Sequence, residues 1–478
     1  MNIQLPKIIQ GGMGFGISDW HLASAVSQIG QLGVVSGTAL DAVLARKLED
    51  GDPGGHVRRA FKCFPFPRIA QRALDAFFVP GGLPADKRYK HTPMHTIAGS
   101  VEASELCVLG NFVEVFLAME GHDQPIGINY LEKIQLPHLP SMYGAMLAGV
   151  SVVIMGAGIP LSVPGILDSL SNHEPVEYPV VVSGVDGEVE IVNVSFDPAH
   201  LNEGARGLDR LIRPDFFPVV STEVLASILL KKANGSIEGF IVEGNLAGGH
   251  NAPPRGKGVL SEAGEPIYGP RDNAKLEKIK SLGLPFWLAG SCGSAEGLAA
   301  ALEAGAAGVQ VGTSFALCKE SGLIPETRRE LVRQVLAGEA KVFTDPVASP
   351  TGFPFKVADL KGTLSDEKLY QERRRVCDIG FLRTPYRRSD GAIGYRCAAE
   401  PVAAYVAKGG AEADTVGRKC LCNALASDIG YPQRLKGGAT EKCLVTMGDD
   451  LVNIGRFCNG DQLDFTAEDV IRVILNEK

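Results

Sequence analysis

The sequence predicts an α/β fold, a (β/α)8 TIM barrel with insertions and a C-terminal appendage, and three observations lead there. Short, near-continuous apolar runs alternate with helix-patterned stretches, the mark of a parallel sheet covered on both faces. Eight such runs fall between residues 8 and 311, the number a closed barrel needs. Glycine, 57 of 478 residues, exceeds the usual ~7% and clusters just after these runs, where such a barrel carries its active site. An open, doubly wound sheet is the alternative, because closure is not written in a sequence.

The elements follow in order. Lys7–Gln10 is a short apolar run ended by Gly11-Gly12, and Ser18 is placed to cap a helix carrying Trp20, Leu22, Ala23, Val26 and Ile29. Leu32–Ser36 is the second strand and Asp41–Glu49 the second helix. Residues 52–121 interrupt the rhythm with Pro53-Gly54-Gly55, Phe64-Pro65-Phe66-Pro67 and Pro80-Gly81-Gly82, then supply a helix from Glu102 to Met119. The alternation resumes with strand Pro125–Asn129, helix Met142–Ala148, strand Val152–Met155 and the turn Gly156-Ala157-Gly158. A second insertion, 172–214, holds two strand-like runs, Tyr178–Ser183 and Glu188–Phe196, about Asp186-Gly187, a two-residue hairpin signal. Phe217–Ser221 then leads into helix Thr222–Lys232, and Gly239–Glu243 into a Gly-rich loop and helix Asp272–Ser281. Pro285–Ala289 leads into helix Ser294–Ala304, and Ala307–Val311 into a last helix. The barrel thus occupies 1–340, and 341–478, without a strand–helix repeat, reads as a separate appendage.

Composition excludes several classes. Hydrophobic residues are 45% and charged residues 21%, as in folded globular proteins. Against 55 Asp and Glu stand 47 Lys and Arg, a net charge of −8 that argues against nucleic-acid or anionic-membrane partners. No apolar run is long enough to span a bilayer, and the start at Met1 lacks the features of a signal peptide. A cytoplasmic protein is expected, with a homo-oligomer as its assembly. Ten cysteines in such a chain are not a disulfide scaffold.

At the predicted strand ends the residues are those of a backbone-lined ligand site. Gly11-Gly12-Met13, Gly156, Gly248-Gly249-His250, Gly290-Ser291-Cys292-Gly293 and Gly312-Thr313 all fall in phase with them. Turns of small residues backed by a helix N-terminus bind phosphate, and barrels often place one after strands seven and eight. His250 closes a Gly-rich loop at this rim and, titrating near neutrality, can move a proton. Cys292 reads as a small buried thiol.

Together with Gly127-Ile128-Asn129, Glu243-Gly244 and Gln310-Val311, this ordered set resembles the nitronate monooxygenases (2-nitropropane dioxygenases). These are related to flavin-dependent enoyl-ACP reductases and to the trans-acting enoyl reductases of polyunsaturated fatty acid and polyketide synthases. The resemblance covers roughly 5–170 and 215–322 and implies a flavoprotein oxidoreductase that binds FMN non-covalently. It implies that Gly290, Gly293, Gly312 and Thr313 hold the phosphate and that Gly11, Gly12 and Met13 line the isoalloxazine. Asn129 and Gln310 would contact the flavin, with Gly156, Glu243, Gly248, Gly249, Ala289 and Ser291 completing the cofactor-binding set. Where the family commonly has Gly-Gly-Ile, this chain has Gly290-Ser291-Cys292. His250 is the implied catalytic residue beside the flavin. The activity implied first is oxidation of alkyl nitronates with O2. The alternative is an NAD(P)H-dependent enoyl reductase acting on acyl thioesters of an acyl carrier protein, and a further one is a flavin-containing scaffold subunit.

A second constellation lies in the C-terminal region. Cys377, Cys397, Cys420 and Cys422 could supply four thiolates to a zinc ion or an iron–sulfur cluster, although the spacing fits neither a standard zinc knuckle nor a ferredoxin run. Reduced thiols packed as small apolar groups are the alternative. The nearby Arg373-Arg374-Arg375 and Arg387-Arg388 read as a solvated face.

Overall fold

The structure is a computed structural model that describes residues 4–184, 188–201, 207–256 and 258–477. Ten strands precede residue 320: β1 (Ile8–Gln10), β2 (Gly33–Ser36), β3 (Ile126–Leu131), β4 (Val152–Gly156), β5 (Val176–Ser183), β6 (Val189–Phe196), β7 (Asp215–Val220), β8 (Phe240–Glu243), β9 (Phe286–Ala289) and β10 (Gly308–Val311). Eight of them form one parallel sheet in the order β1-β10-β9-β8-β7-β4-β3-β2. Its two ends meet through a parallel bridge between Ile9 and Leu32, with Gln10 N–H donating to the Leu32 carbonyl at 2.9 Å. The sheet is therefore a barrel, and the open-sheet alternative falls away.

The strands are buried on both faces, which is why they read as continuous apolar runs. One set, Ile9, Val34, Val152, Ile154, Phe217, Ile241 and Trp287, forms its own interior cluster. Trp287 stacks on Phe217 and satisfies its indole N–H on the Pro6 carbonyl at 2.8 Å. The other set, including Ile8, Val35, Ile128, Val153 and Val309, packs on the surrounding helices.

Two expectations about helices are corrected. Asp19, not Ser18, caps the helix Trp20–Gln28, its carboxylate accepting from the His21 and Leu22 N–H groups. The carboxylate takes two orphan amides at once, and Ser18 turns into the barrel rim instead. The helix expected over Asp272–Ser281 is only Leu276–Lys280. The Asp272 carboxylate accepts from Arg255 N–H (2.8 Å) and Gly269 N–H (2.7 Å), so it ties down the preceding loop rather than starting a helix.

In the second insertion β5 and β6 pair antiparallel from Val176–Phe196 to Ser183–Val189; the expected turn at Asp186-Gly187 lies outside the described residues. After the barrel come β11 (Val342–Asp345), β12 (Phe355–Ala358), β13 (Thr384–Arg387) and β14 (Ile393–Arg396). The strands β14-β13-β5-β6 make one sheet, so the insertion and the C-terminal segment are joined by backbone hydrogen bonds. The last helix, Ala467–Leu475, packs on the helices Trp20–Gln28 and Ala295–Glu303. Its Val470, Ile471 and Ile474 belong to the same core as the barrel. The C-terminal segment therefore packs on the barrel and shares its core. Among the described residues, no helix is long and apolar enough to cross a membrane.

Candidate active site

The C-terminal ends of the barrel strands open into one large cavity, and the structure brings every rim residue singled out in the sequence onto its wall. These are Gly11, Gly12, Met13, Asn129, Gly156, Glu243, Gly248, Gly249, His250, Ala289, Gly290, Ser291, Gly293, Gln310, Gly312 and Thr313. The loop after β1 is shaped by Ser18, whose hydroxyl donates to the Gly11 carbonyl at 3.0 Å and accepts from Met13 N–H at 2.9 Å. Gln10 holds the same hydroxyl through Nε2 (2.8 Å) and takes the Val34 N–H on Oε1 (2.9 Å). Asn129 Nδ2 donates to the Gly12 carbonyl at 3.3 Å. A Cβ on Gly12 would lie 2.4 Å from the Asn129 Cβ, so only glycine lets these two strand ends approach.

The turn after β9 is unusual in backbone. Gly290 has φ +104° and Ser291, which carries a side chain, has φ +57°, a conformation costly for a non-glycine residue. It leads to Ser294, which caps the nine-residue helix Ala295–Glu303 by accepting from Gly297 N–H. The loop after β10 is anchored from elsewhere: the Thr313 hydroxyl accepts from Gly448 N–H at 2.8 Å. Two polar atoms here lack any partner. Gln310 Oε1 and Ser314 Oγ are both buried without a hydrogen bond, and Ser314 Oγ lies 3.3 Å from where a Cβ on Gly293 would be. Unsatisfied buried groups cost free energy, and Gln310 lines the cavity, so it is a position where a bound molecule would be stabilised.

The opposite wall is apolar. Phe15, Leu131 and Ile134 from the barrel loops face Phe355, Phe381, Leu382, Leu421, Leu425 and Met447 from the C-terminal segment. The segment also fixes the Gly-rich loop. Lys356 N–H donates to the Gly249 carbonyl (3.0 Å), Asn251 N–H to the Pro354 carbonyl (2.9 Å), and Gly249 N–H to Thr446 Oγ1 (2.8 Å).

His250 sits where the two walls meet, its ring 4.9 Å from that of Phe355 and its Nε2 2.7 Å from Ser349 Oγ. Burial lowers its pKa to about 4, because a desolvated imidazolium is disfavoured. It is neutral at pH 7, contrary to the expectation of a group titrating near neutrality. Glu243 shifts the other way: burial pushes its carboxyl up to about 8, so it carries its proton at neutral pH. Asp450 also lines the cavity and is ion-paired to Arg456. Among the described residues, no Lys or Arg lines the cavity.

Residues 182–347 match the nitronate monooxygenase family. The matched stretch, about a third of the chain, holds the loops after β8, β9 and β10 described above. A comparison with curated proteins finds no match. Among solved structures it is similar to FabK from Thermotoga maritima, at 16% identity and TM-score 0.47 over 99% of this chain and 92% of that one. It is similar to the nitroalkane oxidase of Streptomyces ansochromogenes at 15% identity and TM-score 0.45, covering 99% and 95%. The enoyl reductase domain of MlnA from the macrolactin cluster of Bacillus amyloliquefaciens gives 12% and 0.45, covering 98% and 93%.

Sequence reasoning missed the whole apolar wall of this site, and Ser349 and Thr446 with it. The only available signal was phenylalanine and leucine scattered through irregular chain. The expectation of a zinc ion or an iron–sulfur cluster gains no support from the comparisons, and among the described residues no group of three or more His, Cys, Asp or Glu is spaced to hold a metal ion. Cys377, Cys397, Cys420 and Cys422 nevertheless border one small cavity of their own. Burial raises all four thiols, to about 12 for Cys377 and Cys397. Cys292 is a half-buried free thiol, raised by burial, as expected of a packing residue.

Proposed function

We propose that this chain is an FMN-dependent enoyl reductase that takes a neutral, apolar acyl thioester and uses a nicotinamide as reductant. The observation that carries the reading is that, among the described residues, no lysine or arginine lines the cavity opposite its apolar wall. A nitronate is an anion, and placing it in such a wall without a counter-charge costs several kcal/mol. An enoyl thioester is neutral and gains about 0.8 kcal/mol for each methylene it buries.

The residues present fit FMN. The unpaired Gln310 Oε1 on the wall can accept from a ring N–H. The turn Gly290–Gly293 and the N-terminus of the helix Ala295–Glu303 suit a phosphate held by backbone and dipole rather than by a cation. The flavin, when bound, supplies the hydride. His250, neutral and oriented by Ser349, offers a hydrogen bond to the thioester carbonyl. Glu243, protonated below about pH 8, delivers the proton that completes reduction at the α-carbon. The apolar wall holds the acyl chain and excludes water.

The test is anaerobic mixing of the purified yellow protein with NADPH, NADH and an alkyl nitronate in turn. The expected outcome is flavin bleaching by a nicotinamide and reoxidation by crotonyl thioesters of coenzyme A or acyl carrier protein. Bleaching by the nitronate alone would overturn it. Nitronate oxidation is the second reading, favoured by the family matched over residues 182–347.

A further inference from the structure

We propose that Cys377, Cys397, Cys420 and Cys422 hold an iron–sulfur cluster in the small cavity they share, next to the flavin cavity. The four residues come from separate pieces of chain. Cys377 lies in the loop after the helix Glu367–Glu372 and Cys397 directly after β14. Cys420 is the N-cap of the helix Leu421–Asp428, and Cys422 lies in its first turn. The fold nonetheless turns all four toward one void, and the Cys422 sulfur is within electrostatic reach of the other three. All four are free thiols. Thiols that served only as small packing groups would fill space, since protein interiors leave few voids. Here the sulfurs border one instead.

Burial raises all four thiols, and the backbone amides of Ala399, Asn423 and Leu382 oppose that rise at Cys397, Cys420 and Cys422 respectively. Amides so placed favour the deprotonated form that metals bind. Arg373 is buried against Cys420 and held by Glu441 at 2.8 and 2.9 Å, and its Nη1 has no hydrogen-bond partner. A guanidinium so placed offsets the negative charge of a thiolate-bound cluster.

The two metal chemistries ask for different spacings. A single tetrahedral zinc draws four sulfurs to about 2.3 Å from one point, and no three of these side chains are spaced for a single ion. A cluster places its several irons and sulfides between the ligands, so its cysteines stand farther apart around a central volume. Leu382, Leu421 and Cys422 border this cavity and the flavin cavity alike. One layer of side chains therefore separates the two. The inference concerns chemistry outside the proposed enoyl reduction and does not depend on it.

The full chain is to be purified without oxygen, and a second portion reconstituted with ferrous iron and sulfide. Iron and acid-labile sulfide are expected in equal amounts, about two or about four of each per chain, with an electron paramagnetic resonance signal after dithionite reduction. Removing the flavin should leave both intact. Cys420→Ser and Cys377→Ser should lose the iron, while Cys63→Ser, an exposed thiol, should keep it. Should the first two variants fail to fold by circular dichroism, the wild-type stoichiometry and resonance signal still decide. A chain that takes up no iron on reconstitution, one that carries a single zinc, or iron retained in a folded Cys377→Ser/Cys420→Ser double variant would each overturn the assignment.

Discussion

The two walls of the active-site cavity are built on opposite principles. The barrel wall is made of backbone: glycines, a strained Gly290-Ser291 turn and a few amides and hydroxyls, spaced by the strand period. The C-terminal wall is made of side chains, Phe355, Phe381, Leu382, Leu421 and Leu425, carried on short elements far apart in the chain. A backbone wall can hold a cofactor of fixed shape with many small contacts and little side-chain entropy. A wall of bulky apolar groups selects by length and volume. On the proposed function, the difference places cofactor binding on the barrel and substrate choice on the segment folded on it.

The strongest way to break this division is at Glu243, the ionisable group on the barrel side. Glu243→Gln is expected to retain flavin and lose turnover by about 10²–10⁴-fold. The wild type needs this acid protonated, so its rate should hold below about pH 8 and fall above it. The variant, with nothing to ionise there, should lose that descending limb. A pH–rate profile unchanged in the variant would remove Glu243 from proton delivery. Next in size is Gly12→Val, whose Cβ would collide with Asn129. Flavin affinity should weaken about 100-fold, as overpacking of a few kcal/mol implies, read by fluorescence titration with the fold checked by circular dichroism. On the other wall, Phe381→Ala should leave flavin affinity unchanged and lower kcat/KM about tenfold for a long acyl chain. A short chain that does not reach the wall should be unaffected, and equal losses for both would erase the assignment of selectivity to this segment. The smallest effect belongs to Ser349→Ala. Removing the partner of His250 Nε2 should slow turnover about two- to tenfold, as loss of one hydrogen bond implies.

The same contrast explains what could be read in advance. The eight barrel strands were legible because burial on both faces leaves continuous apolar runs, and the rim because glycines cluster at the ends of five of them. Ser18 misled because it stands one residue before the true cap, Asp19, and both residue types cap helices; only the fold shows that Ser18 faces Gly11 and Met13. Closure depended on Ile9 meeting Leu32, a pairing no local pattern encodes. The apolar wall stayed hidden for a related reason. Phe381 lies in irregular chain without periodicity, and Leu421 has neighbours in the cavity that come from residues hundreds of positions earlier. The protonation states were equally unreadable, since burial sets both His250 and Glu243 and burial is a property of the assembled cavity.

The hydrogen bond from Gly448 to Thr313, 135 positions apart, has a consequence for how the protein is made. The loop after β10 and the Gly-rich loop before His250 take their final shape only when residues 446–448 have left the ribosome and docked. A nascent barrel that stops short of them lacks both hydrogen bonds, however complete its strands. On the proposed function, chains truncated before Thr446 are therefore expected to stay colourless.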